Sequence, residues 1–274
     1  MKKILVPCDF STPAQEAFKF AVRIAQQSKG EIHVLYIIDT TFLHGNPSLS
    51  HSYAFNVSFL KEMEVEAEAK FRKMWERYSP LTLPVKFKHS IGSLVEDVEG
   101  YVRANEIDVI IMGTHGDSQA RWGTNTEKIV RHSPVPLLAI RKEPDTDVKN
   151  IVVPIIPDQF DKDFYDKLKQ LQRFFNASLQ LLWINTPRIF KNDSEAQADL
   201  QKFATQAGLT NYSIHVRSDY DVEEGIYRFA RDNDSDMIAM GTHAWKGLVH
   251  FLNGSIAEDI VNHISVPVWT YAMK

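Results

Sequence analysis

Ile107-Asp-Val-Ile-Ile-Met-Gly-Thr-His-Gly116, a polar loop, Gly123-Thr124, then Glu127-Lys-Ile-Val-Arg-His132 and Pro134-Val-Pro-Leu-Leu-Ala-Ile-Arg141 form the stretch that decides the fold. Val109 to Met112 is short and wholly apolar, as expected of a central parallel strand covered on both faces. Gly113 and Gly116 follow at once, where a chain leaving a strand turns sharply or lets a ligand approach its backbone. Gly123-Thr124 opens a helix whose first amides have no partners within it. A glycine-bounded loop between the carboxyl end of a strand and a helix N-terminus is where open α/β sheets hold phosphates. The helix is expected to end near His132, and Val135 to Ile140 reads as a further strand.

The same stretch occurs twice. Ser235-Asp-Met-Ile-Ala-Met-Gly-Thr-His-Ala244 repeats Ile107 to Gly116, and Gly254-Ser255 to His263 repeats Gly123 to His132. Val266-Pro-Val-Trp269 then repeats Val135-Pro-Leu-Leu138. Strand, glycines, helix and final strand recur in order, which points to duplication of a whole domain.

The rest of the chain fits two such domains. Its 274 residues suffice for two cores, and 44% hydrophobic with 24% charged residues is the balance of a soluble globular protein. A net charge of −4 provides no general attraction to nucleic acid or anionic membrane. The single cysteine, Cys8, fits a reducing compartment, and no apolar run is long enough for a signal peptide or a membrane span. A cytoplasmic location is expected.

Taken in order, Lys3 to Pro7 reads as a buried strand ending at Asp9, with Thr12 as N-cap and Pro13 opening a helix. Ala14, Ala17, Phe18, Ala21, Ile24 and Ala25 share one face of that helix, which Gly30 closes. Ile32 to Ile38 is a second strand. Asp39 to Ser58 has no clear period and reads as a long loop, and Met63, Ala67, Phe71, Met74 and Tyr78 mark the next helix. Val85 and Phe87 alternate with lysines in a third strand, followed by a helix over Leu94 to Asn105. The acidic run Glu143 to Asp147 divides the chain into domains 1–143 and 149–274. Asn150 to Pro154 then repeats Lys3 to Pro7, and Ser178 to Ile184 repeats Glu31 to Ile37. Strands alternating with helices imply an α/β fold, a parallel sheet with helices on both faces. Right-handed crossovers bring the carboxyl ends of the strands, Asp9 and Gly113 among them, to one rim.

With Asp9 after the first strand, Gly113-x-x-Gly116 after the fourth and Gly123-Thr124 opening the last helix, each half resembles a universal stress protein domain. The whole chain resembles the tandem form of that family. The resemblance implies two Rossmann-like domains of the adenine nucleotide alpha hydrolase-like kind, each with a five-stranded parallel sheet. It also implies ATP as ligand, with or without Mg2+. Asp9 would accept from the adenine amino group, Ile37 would line the base pocket, and Met112 and Gly113 would lie along base and ribose. Gly116, Gly123 and Thr124 would cradle phosphate, as Gly254 and Ser255 would in the second copy, where Gly241 is the counterpart of Gly113. Final strands that pair domains about a two-fold axis imply an internal pseudo-dimer, with a homodimer and an unidentified protein partner as further expectations.

Both copies depart from the pattern. Six residues, Asp117 to Trp122, separate Gly116 from Gly123 where the family has nine; they span at most roughly 20 Å. The second copy has the nine-residue loop, Trp245 to Asn253, but Ala244 replaces the second glycine and Ile156 stands where Asp9 does. An isoleucine cannot read an adenine amino group, and Asp158 reads as a helix cap. The alternative to an adenine contact is that Asp9 is a helix-start residue, that the glycines serve the turn alone, and that Thr124 and Ser255 are plain caps. His115, His132, His243 and His263 show no metal-ligand spacing, and Cys8 reads as a small core residue. His44, His51, Tyr53 and Phe55 could cover a ligand mouth or pack as an ordered loop. No catalytic constellation is visible. The leading expectation is a stress-response regulator binding adenine nucleotide chiefly in its first domain; the alternatives are a nucleotide-independent scaffold and a weak ATPase.

Overall fold

The computed structural model describes residues 1–39, 53–78, 81–114, 129–130, 133–142, 144, 147–156, 160–242 and 266–273, with residues 53–57 described by backbone alone. The chain divides into two compact units, Met1–Gly113 and Thr114–Lys274.

The first unit alternates β1 (Lys3–Pro7), α1 (Thr12–Ser28), β2 (Glu31–Asp39), α2 (Tyr53–Glu76), β3 (Val85–Gly92), α3 (Leu94–Asn105) and β4 (Val109–Gly113). Its strands lie in the order β3-β2-β1-β4 and all pairings are parallel. Ile4, Leu5 and Val6 of β1 and Val109, Ile110 and Ile111 of β4 are completely buried, as central strands covered on both faces must be. The six apolar residues expected on the inner face of α1 are all buried.

Two boundaries differ from the sequence expectations. The N-cap of α1 is Ser11, not Thr12: its hydroxyl accepts from the Ala14 amide, and its own amide donates to Asp9 Oδ1 at 3.0 Å. Phe10, in the left-handed region with φ 64°, makes the turn between them. The left-handed cap ending α1 is Lys29, one residue before the expected Gly30. The loop expected through Ser58 is already helical from Tyr53, and β2 runs on to Asp39. The Tyr-Ala-Phe-Asn-Val run at 53–57 lacks an amphipathic period, so it hid the first turn of α2. His44 and His51 lie outside the described residues.

The second unit contains β5 (Leu137–Ile140), β6 (Asn150–Pro154), α4 (Lys162–Phe175), β7 (Ser178–Asn185), α5 (Asp193–Ala207), β8 (Tyr212–Ser218), α6 (Val222–Asp232), β9 (Met237–Gly241) and β10 (Val268–Tyr271). Strand order is β5-β10-β9-β6-β7-β8. The five strands from β10 to β8 are parallel. β5, the last strand of the first sequence copy, runs antiparallel to β10 with Leu138 opposite Trp269. The final strands of the two copies therefore cover one another, and all four residues of each are buried.

The repeated Gly-Thr has a structural role in this unit. Thr114 donates its amide to Ile140 O at 2.8 Å, and Thr242 donates to Tyr271 O at 3.0 Å. In each copy the threonine after the glycine is thus tied to the last strand. α4 is capped by Asp161, whose carboxylate accepts from the Phe164 amide at 2.8 Å. Asp158, the expected cap, lies outside the described residues. Among the described residues no helix is long and apolar enough to cross a membrane.

Candidate functional site

Strand register decides which side chains meet at the rim of the first unit. Pro7 lies opposite Leu35 in β2, and Leu5 lies opposite Ile110 in β4. Side chains alternate between faces along each strand. Continued by two residues, this register sets Asp9 beside Ile37 and Met112 beside Pro7, with Asp9, Ile37 and Met112 all on one face. Ile37 is paired in turn with Ser90 of β3. The same face carries α3, because His33, two positions from Leu35, holds Tyr101 of α3 through a 3.0 Å bond. The residues expected to read an adenine ring thus share one face at the carboxyl ends of β1, β2 and β4, where open α/β sheets bind ligands.

Asp9 is exposed and its Oδ1 accepts from the Ser11 amide. One carboxylate oxygen is thereby fixed by the turn into α1. Ile37 and Met112 are half-buried. Next to Asp9, Cys8 is 4% exposed and its amide donates to Leu35 O. Burial pushes its thiol up to about 12, with a smaller contribution from the Asp9 carboxylate. At neutral pH the thiol stays protonated and unreactive, as a small core residue should. Phe10 packs its ring against Tyr36 and Phe87, with centroids 5.5 and 6.3 Å away, and so holds the turn after Asp9 on the opposite layer.

Gly113 is constrained by packing. A Cβ there would lie 2.2 Å from Pro13 O and 2.7 Å from Ala14 N, so the first turn of α1 rests directly on it. This contact, and not a left-handed φ, already requires glycine there. Two groups not singled out from the sequence lie on the other face, the one that carries Ile37 and α3. Among the described residues Ser90 Oγ and Asp97 Oδ2 are buried with no hydrogen-bond partner, and Asp97 Oδ2 would sit 2.6 Å from a Cβ on Gly92. Neither belongs to a motif; only their unsatisfied burial, which costs free energy, marks them.

The second unit arranges the same rim differently. Ile156 takes the place of Asp9, and Gly241 is buried at the end of β9. A Cβ on Gly241 would meet Met273 Sδ at 2.1 Å, Met273 Cγ at 2.8 Å and Phe164 Cδ2 at 3.6 Å. The chain's own side chains fill that notch. In the second copy a carboxylate again faces a glycine: a Cβ on Gly225 would lie 3.2 Å from Asp219 Cβ. Asp219 is paired, its Oδ1 accepting from the Tyr220 amide and its Oδ2 lying 3.5 Å from Arg228 Nη1.

Gly116, Gly123, Thr124, Gly254 and Ser255 lie outside the described residues, as do His115, His132, His243 and His263. The described structure therefore brings together Asp9, Ile37, Met112 and Gly113 in the first copy and places Gly241 alone in the second. Among the described residues no three His, Cys, Asp or Glu side chains converge to hold a metal ion. The first rim offers an acceptor carboxylate beside apolar walls, which suits recognition of a flat ring with an amino donor.

Comparison with known proteins places this geometry in context. A family model described as the universal stress protein family matches residues 1–141 and 171–271. A universal stress protein of Synechocystis sp., Slr1230, is 27% identical over 99% of this chain and all of its own length. Universal stress protein MJ0531 of Methanocaldococcus jannaschii is 27% identical over 52% of this chain and 82% of its own. The crystal structure of a universal stress protein from Archaeoglobus fulgidus shares the fold, with a TM-score of 0.74 at 18% identity over 98% of both chains.

Proposed function

The chain belongs to the universal stress protein family, and we propose that it binds an adenine nucleotide, ATP with or without Mg2+, at the rim of its first unit. The single observation that carries this reading is the common face of Asp9, Ile37 and Met112 at the carboxyl ends of adjacent parallel strands. Asp9 accepts from the exocyclic amino group, which guanine lacks at that position, and Ile37 and Met112 sandwich the apolar ring. Gly116, Gly123 and Thr124 hold phosphate through backbone amides, and Gly254 and Ser255 form a comparable loop in the second copy. The second copy does not read adenine, because Ile156 has no acceptor and Met273 and Phe164 fill the notch at Gly241. Nucleotide acts as a regulatory ligand in a cytoplasmic protein, altering contacts with a protein partner.

Equilibrium dialysis of the full chain against ATP with magnesium tests this. Wild type is expected to bind one equivalent. Asp9→Asn keeps an oxygen for the Ser11 amide but turns the other carboxylate atom into a donor facing the adenine amino group. It is expected to melt near wild type yet bind at least about tenfold more weakly, the loss of one charged hydrogen bond. Wild type that takes up no ATP at millimolar concentration would favour the nucleotide-independent scaffold.

A further inference from the structure

The second unit carries a cleft of about 380 Å3 at the carboxyl ends of β7 and β8, on the side of β7 away from β6. Asn185, Pro187, Phe190, Asp219, Tyr220 and Arg228 line it. Two large rings stand out into water here: Phe190 is 73% exposed and Tyr220 is 90% exposed. Both sit on backbone that is tightly held. Asn185 accepts from the Lys191 amide at 3.0 Å and donates to Lys191 O at 2.9 Å, while Thr186 and Ile189 exchange two backbone bonds at 3.1 Å. Asp219 donates its amide to Asn185 O at 2.9 Å, so the two walls are joined at the base. Tyr220 in turn is tied to Asp219 Oδ1, and Asp221 caps α6 one residue further on. Because the loops that carry the rings are already braced, their backbone loses little conformational entropy when something fills the space between them.

The charge of the cleft selects what fills it. Arg228 is its one cation among the lining residues, and two carboxylates already oppose it: Glu224 Oε1 accepts from Nε at 2.6 Å, and Asp219 Oδ2 lies 3.5 Å from Nη1. Asp221 and Glu223 add negative charge in the same turn. With Arg228 held between Asp219 and Glu224, two carboxylates stand about one guanidinium, and an incoming cation balances them where an anion would not. Aromatic faces attract cations as well.

We infer that this cleft is a binding site for a small organic cation, an ammonium borne on an apolar frame, held against Phe190 and Tyr220 beside Asp219. It is separate from the nucleotide rim and does not depend on it. Cavities of this size take one small molecule.

Titration of phenyltrimethylammonium into the full chain, followed by the ring proton signals in NMR, tests the assignment. The probe is expected to saturate, and benzoate, equal in shape but anionic, is expected to bind at least about tenfold more weakly. Phe190→Leu and Tyr220→Leu keep apolar surface while removing the ring, and each is expected to weaken the probe by about fivefold. Asp219→Asn keeps the acceptor for the Tyr220 amide and is expected to weaken it similarly. Thermal melts of each variant separate lost binding from lost folding. Failure of wild type to saturate, benzoate binding as tightly as the cation, or folded leucine variants that bind like wild type would each overturn the assignment.

Discussion

Gly113 and Gly241 end matching strands and open the same Gly-Thr-His triplet, yet the matter above them differs. Above Gly113 lies backbone, the first turn of α1; above Gly241 lie the ends of two side chains, Met273 and Phe164. Counted from the matched strands Lys3–Pro7 and Asn150–Pro154, Lys162 at the start of α4 corresponds to Gln15. α4 therefore lacks the turn that in α1 presses on the glycine, and Phe164 stands where α1 has Ala17. Met273 occupies the remaining room. The same local sequence can thus be required by two different contacts, and the length of a neighbouring helix decides whether that contact is rigid or soft.

The largest expected effect is the contrast between two identical substitutions. Gly113→Ala forces a Cβ into Pro13 O, and backbone cannot swing aside. A loss of about 3 kcal/mol is expected, at the upper end for overpacking. Gly241→Ala pushes mainly on Met273, a flexible side chain near the chain terminus, and should cost less than about 1 kcal/mol. Urea unfolding of both variants decides, and equal losses would break the contrast. Next in size is the coupling at Gly241. Met273→Ala should relieve Gly241→Ala, giving a double-mutant interaction of about 0.5–1 kcal/mol, whereas Met273→Ala should leave the cost of Gly113→Ala unchanged.

Cys8 sharpens the comparison because the matching position of the second copy is Ile155, so the thiol reports on the first unit alone. With its thiol held near 12 by burial, Cys8 in native protein should react with a maleimide at pH 8 at least about a hundredfold more slowly than in unfolded chain. Gly113→Ala should speed that labelling and Gly241→Ala should not.

The smallest effect concerns acid. Asp166 of α4 is held down to about 2 by hydrogen bonds from Lys162 and Lys169; α1 has Lys19 at the matching position. A depressed carboxylate contributes stability above its ordinary value, and that contribution is lost as pH falls through the native value. Asp166→Asn should therefore slightly flatten the decline in melting temperature between about pH 4 and 2, within the small range expected of exposed pairs. An unchanged decline would show that the two lysines contribute nothing there.

The duplicated strand-Gly-Thr-His stretch and the apolar β1 and β4 made the alternating fold legible, because full burial leaves an unbroken apolar signature. Asp9 and Ile37 could be placed for a related reason: strand ends fall on one rim whatever the loops do. The reason for Gly113 was not legible. It depends on whether Ser11 or Thr12 caps α1, a one-residue choice made by Asp9 and the left-handed Phe10 rather than by propensity. Ser90 and Asp97 were invisible too, since an unpaired buried oxygen exists only once three elements have packed. The Phe190–Tyr220 cleft joins residues thirty positions apart across the end of the β7–β8 pairing, where Asp219 bonds Asn185, and neither loop has a repeating pattern to announce it.

The antiparallel seam between β5 and β10 has a practical consequence. Scission of the chain in the acidic run after Ile140 would leave residues 149–274 with the hydrogen-bonding groups of Val268 to Tyr271 uncovered on one side. Such a fragment should seek a second copy of itself and zip β10 to β10 head to tail, so that its sedimentation would report a dimer created by the cut.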